Sequence, residues 1–315
     1  MFKGKITIIG AGAVGATTAY TLMLSSLVSE IVLIDINRKK AEGDALDMNH
    51  GISFVNPVKI IAGDYEDIKG SDMVIITAGA NQEPGERRTD LLKRNAKIME
   101  SIVENVLKYC HDDTIIMMVT NPVDILTYVT YKISGFSRNH IIGSGTVLDT
   151  ARLKYLLGEY TNVDVRNVHT YIIGEHGDSE VAAWSATTVA GMNIDKFCEF
   201  SGVCDMEALS NKHFHETVKN SAYEIIEKKG ATFYAIALSV KRIVECIIGN
   251  ENSILTISSL LDGEYGITDT CLAVPTIVSS NGAEKIVEID LSEQELSDLK
   301  KSADKLKNLA REIGY

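Results

Sequence analysis

A doubly wound parallel α/β sheet of the Rossmann kind, followed by a mixed α+β domain, is the architecture this sequence predicts. Short β-rich runs alternate with segments of helical length through the first half of the chain. A glycine-rich turn stands directly after the first run, and beyond residue 143 the pattern gives way to long helical segments with scattered strand-like runs. Alternation of that kind implies parallel strands joined by right-handed crossovers.

The 315 residues suffice for two ordinary domains with substantial cores, divided here as 1–143 and 144–315. With only 4 prolines, the junction reads as tight rather than as a flexible hinge. Lys and Arg number 31 against 43 Asp and Glu, and the resulting charge of −12 argues against a nucleic-acid or anionic-membrane partner. No stretch reaches the roughly 20 uninterrupted apolar residues of a membrane helix, so a cytoplasmic protein is expected. The five cysteines, Cys110, Cys198, Cys204, Cys246 and Cys271, are odd in number and form no C-x-x-C pair. They read as reduced, mostly buried thiols.

Taken in order, the first run is Lys5–Ile9. Its basic start resembles a secretory leader, but the apolar stretch is accounted for as a strand plus a glycine turn and is expected to stay in the mature chain. The turn, Gly10-Ala11-Gly12-Ala13-Val14-Gly15, opens a helix at about Ala16. Gly10 permits the tight turn, Gly12 lets backbone approach a pyrophosphate, and Gly15 allows close helix packing. The free N–H groups and positive end of that helix suit phosphates, although a glycine turn alone can be purely structural. The second run, Ile31–Ile34, ends on Asp35, about 20 residues past the last glycine, where a carboxylate accepts hydrogen bonds from a ribose diol and repels a 2′-phosphate. The expected ligand is therefore NAD rather than NADP, with Arg38 nearby leaving some room for the latter.

Runs at Val58–Ile61, Met73–Thr77, Thr114–Val119 and Ile141–Ile142 complete the parallel set, each short and apolar as strands buried on both faces should be. Between them, Leu92, Ala96, Met99, Val103 and Val106 recur at three or four within Leu91–Tyr109 and mark a helix. In the second half, strand-like runs lie at Val168–Ile173, Leu272–Val278 and Lys285–Ile289. A last helix is announced by Ser292 as cap, Glu295 completing a capping box, and the stripe Leu296, Leu299, Ala303, Leu306 and Ile313.

Four polar strings interrupt this frame at strand ends and loops, where α/β enzymes place their chemistry. Gln82-Glu83-Pro84-Gly85-Glu86-Arg87-Arg88 reads by composition as a solvated loop. Asn121-Pro122-Val123-Asp124 offers an amide, or merely a helix start. Asp149-Thr150-Ala151-Arg152 sets a carboxylate and a guanidinium on one helical face, as a site or as a local ion pair. Gly174-Glu175-His176-Gly177-Asp178 wedges a histidine between glycines after a strand. Together they meet the needs of hydride transfer to a 2-keto acid: an arginine to clamp the carboxylate, a histidine to exchange the hydroxyl proton, a carboxylate to orient it, and a cation to polarise the carbonyl.

On these strings the whole chain, Ile6 through Ile313, resembles the lactate and malate dehydrogenase family, with several independent signatures in order and spacing. The resemblance implies that His176 is the proton donor and acceptor, Asp149 its partner, Arg152 the carboxylate clamp and Arg88 a mobile cation. Asn121 would bond the substrate oxygen, and Thr232 would line the pocket beside Ile236, which meets the nicotinamide. Gln82 would face the substrate side chain, with loop 79–90 closing over it. Gly10, Gly12, Val14, Gly15, Asp35, Asn121 and Ile236 form the expected cofactor contacts. An uncharged Gln82 favours the methyl of pyruvate, hence L-lactate as the hydroxy acid. A malate enzyme would need a cation there, and Arg87 is adjacent; a non-catalytic NADH sensor is the remote alternative.

The resemblance also implies a homotetramer. Family members activated by fructose 1,6-bisphosphate carry a basic pair at a subunit interface, matched here by Lys154 and His169, with lysine in the usual place of arginine. No metal site is expected, since His213 and His215 lack partners at a zinc spacing.

Overall fold

The computed structural model describes residues 4–80, 85, 87–202 and 212–315, with the side chains of Arg88, Lys212 and His213 outside that description. The first half runs β1 Gly4–Ile9, α1 Ala13–Ser25, β2 Val28–Ile34, α2 Arg38–His50, β3 Lys59–Ala62, β4 Met73–Ile76, α3 Arg88–Val106, β5 Ile115–Met118, α4 Val123–Ser134 and β6 Ile141–Gly143. These six strands are parallel and lie in the order β3-β2-β1-β4-β5-β6. The order reverses between β1 and β4, which opens a crevice at their carboxyl ends.

Each strand is a short apolar run because side chains alternate and both faces are covered. Val32, Ile34, Val74, Ile76, Ile116 and Met118 face α3, α4 and a C-terminal helix. Ile6, Ile8, Ile31, Leu33, Met73, Ile75, Ile115 and Met117 face α1, α2 and α8 (Tyr234–Gly249) on the other side. Burying one such side chain is worth about 1.5–3 kcal/mol, which is what commits these runs to the sheet. In α3 the expected stripe Leu92, Ala96, Met99, Val103 and Val106 is the buried one. The helix α1 begins at Ala13, three residues before the expected start, because Gly12 is its cap and Ala16 N–H already donates to the Gly12 carbonyl.

The second half runs α5 Val147–Thr161, β7 Val168–His169, β8 Ile172–Ile173, β9 Val181–Ala182, β10 Thr188–Val189, β11 Met192–Asn193, α6 Ile194–Ser201, α7 Lys212–Lys229, α8, β12 Ser253–Asp262, β13 Thr268–Ser279, β14 Gly282–Ile286 and α9 Glu293–Ile313. Here the structure departs from expectation. Strands β12, β13 and β14 do not build a sheet of their own. They extend the same sheet, each antiparallel to its neighbour, β12 pairing with β6 at Ser258 and Gly143, to give nine strands in all among the described residues. The run expected over Val168–Ile173 is two strands, β7 pairing with β10 and β8 with β9. The final helix has the anticipated capping box: Ser292 Oγ accepts from Glu295 N–H at 3.3 Å, and Glu295 Oε2 accepts from Ser292 N–H at 2.8 Å.

The cysteines differ from expectation too. Cys110, Cys246 and Cys271 are free, but Cys198, in the last turns of α6, is disulfide-bonded, and its partner lies outside the described residues. A bridge depends on which thiols the fold brings together, which cysteine count and spacing left undecided.

Candidate active site

The crevice between β1 and β4 is lined by the glycine turn. Gly10 has φ +104, and a Cβ there would lie within 2.6–2.9 Å of the Thr77 and Ala78 backbone. A Cβ on Gly15 would sit 1.8 Å from the Gly10 carbonyl oxygen, so α1 can leave β1 this closely only with glycine at that position. Gly12 is exposed and nothing lies within 4 Å of where its Cβ would be, which is the open approach a pyrophosphate needs. Val14 packs from the first turn of α1 and Ile236 from the first turn of α8, both half-buried against the same side of the sheet.

At the end of β2, Asp35 accepts from Ala11 N–H at 2.6 Å and from Asn37 N–H at 2.7 Å, so its carboxylate is fixed facing the turn. Arg38 is tied to both Asp64 and Glu42. Its charge is matched by those two carboxylates rather than left over for a 2′-phosphate, which sharpens the preference for NAD. Sequence reasoning passed over Ile36, which is fully exposed beside Asp35 and offers an apolar surface to an adenine; an isoleucine straight after the strand-end aspartate was the available signal.

The proton chemistry is built in the second half. Asp149 lies in the first turn of α5, whose start is held by Thr150 Oγ1, which accepts from Ile172 N–H at 2.9 Å and meets Thr256 Oγ1 of β12 at 3.1 Å. His176 sits on the loop between β8 and β9. Three elements hold that loop: Gly174 N–H donates to Ala273 of β13 at 2.8 Å, Glu175 N–H to Ser302 Oγ of α9 at 2.8 Å, and His176 N–H to Asp124 Oδ2 of α4 at 2.7 Å. Glu175 is anchored to Lys305 at 2.6 Å. The Asp149 carboxylate then divides its oxygens, Oδ2 meeting His176 Nδ1 at 2.5 Å and Oδ1 accepting from Arg152 Nη1 at 2.7 Å.

Electrostatics follow from that division. Burial opposes the charged His176 ring, but the Asp149 charge and hydrogen bond, with Asp124 and Glu180 behind, outweigh it and raise the imidazole to about 9. Burial likewise disfavours an ionised Asp149, and the His176 and Arg152 partners overcome it, holding the carboxyl below its usual range. Burial pushes Asp124 up to about 6 in spite of Ser258 and the His176 N–H. Asp124 is a buried positioning group that sequence reasoning quoted within its motif but gave no role.

Asn121 is exposed at the carboxyl end of β5, and Thr232 is half-buried just before α8. Gln82 lies outside the described residues; Arg88 begins α3, with its side chain outside the description. Arg87 pairs with Asp90 at 2.8 Å. Lys154, on α5, is partly buried, which lowers its hold on a proton, and His169 is exposed on β7. His215 meets Glu180, and no group of three metal-ligating side chains occurs among the described residues. No helix among them is long and apolar enough to cross a membrane.

A crevice shaped for a dinucleotide between β1 and β4 and a proton held at His176 suit the two parts of a nicotinamide-dependent redox step, and the chain is an NAD-dependent dehydrogenase. The lactate/malate dehydrogenase NAD binding domain matches residues 4–143, and the alpha/beta C-terminal domain of the same family matches residues 146–313. The chain belongs to the lactate/malate dehydrogenase family. It is 59% identical over 309 residues to an L-lactate dehydrogenase of Acetivibrio thermocellus, covering 98% of this chain and 97% of that one. It is 56% identical over 304 residues to L-lactate dehydrogenase 1 of Clostridium acetobutylicum, covering 96% of each. Among solved structures it superposes on the minor L-lactate dehydrogenase of Enterococcus mundtii with a TM-score of 0.94, at 42% identity and 98% coverage of both chains.

Proposed function

We propose that this chain interconverts L-lactate and pyruvate as an NAD-dependent L-lactate dehydrogenase. The observation that carries the reading is the Asp149 carboxylate shared between His176 and Arg152, which we read as a proton donor and an anion clamp side by side. The bacterial L-lactate dehydrogenases it resembles along nearly its whole length support the choice of substrate. We assign residues 1–143 to cofactor binding and 144–315 to the substrate and its proton.

Bound NADH supplies the hydride that reduces C2 of pyruvate. Arg152 binds the substrate carboxylate; a guanidinium has five N–H donors, so one bond to Asp149 does not exhaust it. His176 delivers its Nε2 proton to the C2 oxygen, and Asp149 on Nδ1 holds the ring in place and stabilises its charged form. Arg88 polarises the carbonyl, Asn121 bonds the same oxygen, and Thr232 and Ile236 complete the pocket wall. Gln82 meets the methyl group. Exclusion of water from the site strengthens each of these charged contacts. Arg87, next to Arg88, pairs with Asp90 at 2.8 Å on the surface.

A homotetramer in the cytoplasm, with fructose 1,6-bisphosphate bound between Lys154 and His169 pairs of two subunits, completes the proposal. The test of the central claim is NADH oxidation followed by absorbance with pyruvate, oxaloacetate and longer 2-keto acids. Pyruvate is expected to have the highest kcat/KM; no turnover with any of them would leave a nucleotide-binding protein without this activity.

A further inference from the structure

A second carboxylate lies within electrostatic reach of the His176 cluster and has no part in the mechanism above. Glu180 closes the loop that carries His176: its N–H donates to the Gly177 carbonyl at 3.2 Å, and β9 begins at the next residue. Its side chain is 3% exposed. An ionised carboxylate without a partner is costly at such depth. Oε1 of Glu180 makes no hydrogen bond, and neither does Nε2 of His215, yet the two atoms face each other at 3.6 Å across the gap between the loop and α7.

Charged groups from three elements bear on this pair. From α5, Asp149 repels an ionised Glu180 and Arg152 attracts it; from the loop, His176 attracts it; from α7, Lys219 attracts it and opposes protonation of His215. Lys219 is itself tied to the Asp178 carbonyl at 2.9 Å. Asp124 of α4 acts on His176. Burial is the largest influence on both members. It raises the Glu180 carboxyl to about 8, with Asp149 adding to it, and lowers the His215 ring to about 4, with Lys219 adding to it. Near neutral pH one proton is therefore held where two basic atoms face each other.

We propose that Glu180 and His215 are a positioning pair for His176: by keeping a proton between them they withhold a further negative charge from the Asp149–His176 couple. With Asp149 and, behind it, Asp124 ionised, the imidazole can both give and take a proton. With Glu180 charged as well, it would be held more firmly as imidazolium and serve poorly as a base for hydroxy acid oxidation. At alkaline pH the pair loses its proton and the new charge on Glu180 tightens the grip of His176 on its own. The inference rests on the reading of His176 as the acid and base.

The test is the pH profile of kcat/KM for pyruvate reduction between pH 6 and 10, for the unmodified protein, Glu180→Gln, Glu180→Asp and His215→Leu, with NADH affinity measured by fluorescence. Glu180→Gln should move the alkaline limb down by roughly half a unit to one unit, since the late-appearing charge can no longer form. His215→Leu should move it the same way by less, because an apolar neighbour further disfavours the charged carboxylate and Glu180 keeps its proton longer. Glu180→Asp should return the limb toward its original place. NADH affinity should stay within about twofold in all three, since neither residue is among the expected cofactor contacts. A fall in kcat with superimposable limbs would make Glu180 a structural residue and overturn the proposal. Should Glu180→Gln fail to fold, an unmoved limb in His215→Leu overturns it equally. Absence of turnover in the unmodified protein would instead overturn the functional reading on which it stands.

Discussion

The Asp149 carboxylate serves two partners, and this couples proton chemistry to anion binding at the level of single residues. Because His176 is raised to about 9 in the folded chain from an ordinary 6.5, its charged form contributes stability that is fully present below pH 6.5 and is lost as pH rises through 9. Reduction of pyruvate needs that charged form, so its rate should fall on the alkaline side over the same window. Replacing His176 by Asn should leave NADH affinity nearly intact while lowering turnover by roughly a hundredfold or more, as expected of a positioned proton donor. Stopped-flow binding set beside steady-state rates separates the two; equal losses in both would make the residue structural. On the proposed reading, substrate choice rests with Gln82. Gln82→Arg should shift preference from pyruvate toward oxaloacetate by on the order of several kcal/mol in the ratio of kcat/KM values, because a buried carboxylate without a cation is costly. An unchanged ratio would remove Gln82 from the specificity pocket.

Among elements, α9 shows how a local motif is put to tertiary use. Glu295 completes the capping box and also accepts from the backbone N–H of Ser185 at 3.0 Å and from its hydroxyl at 2.5 Å, tying the start of the helix to the segment after β9. Burial works against the ionised carboxyl, and these serine donors outweigh it, holding it below its usual range. Its contribution is thus present at neutral pH and lost as pH falls through the lowered value. Glu295→Ala should destabilise the chain by about 2–3 kcal/mol, measured by urea unfolding, since charge-assisted bonds are lost and the Ser185 donor is left without its acceptor. A change under about 0.5 kcal/mol would show that the link contributes nothing. The cap of α9 and the strands β1 to β6 were legible in the sequence because capping and two-sided burial leave local marks: Ser-x-x-Glu in one case, unbroken Ile, Val and Met in the other. Strand β12 left no such mark. Its SILTISSLLD carries Thr256, Ser258 and Ser259 into the interior, all buried, so hydropathy did not single it out. The break between β7 and β8 falls at Thr170, whose hydroxyl meets Thr187 at 2.7 Å, a tertiary contact that no strand propensity encodes. At the site, His176, Asp149 and Arg152 were legible as motifs. Glu180 and His215 were not, because only the packing of α7 against the β8–β9 loop brings them together.

For the whole molecule, the proposed regulation would depend on assembly. If two subunits bring their Lys154 and His169 pairs together, the acidic protein acquires one local basic patch suited to a sugar bisphosphate. Lysine keeps the charge of the arginine usual there but loses its two-pronged phosphate contact, so activation should be present and weak. Pyruvate saturation curves with and without millimolar fructose 1,6-bisphosphate should separate for the unmodified protein, and should superimpose for Lys154→Ala and His169→Ala. Superimposable curves for the unmodified protein would remove the effector while leaving catalysis as assigned. By linkage, pyruvate must tighten the effector by the same factor. The nine-stranded sheet has a different bearing on the intact chain. Since β12 pairs with β6, the two halves share one ladder, and the cofactor half on its own would end in a naked strand edge with unpaired N–H and C=O groups along apolar Ile141 and Ile142. Such an edge recruits other chains. A fragment ending at residue 143 should therefore grow into open-ended aggregates in light scattering where the full chain keeps one defined size, so that the second half also acts as the first half's built-in guard against aggregation.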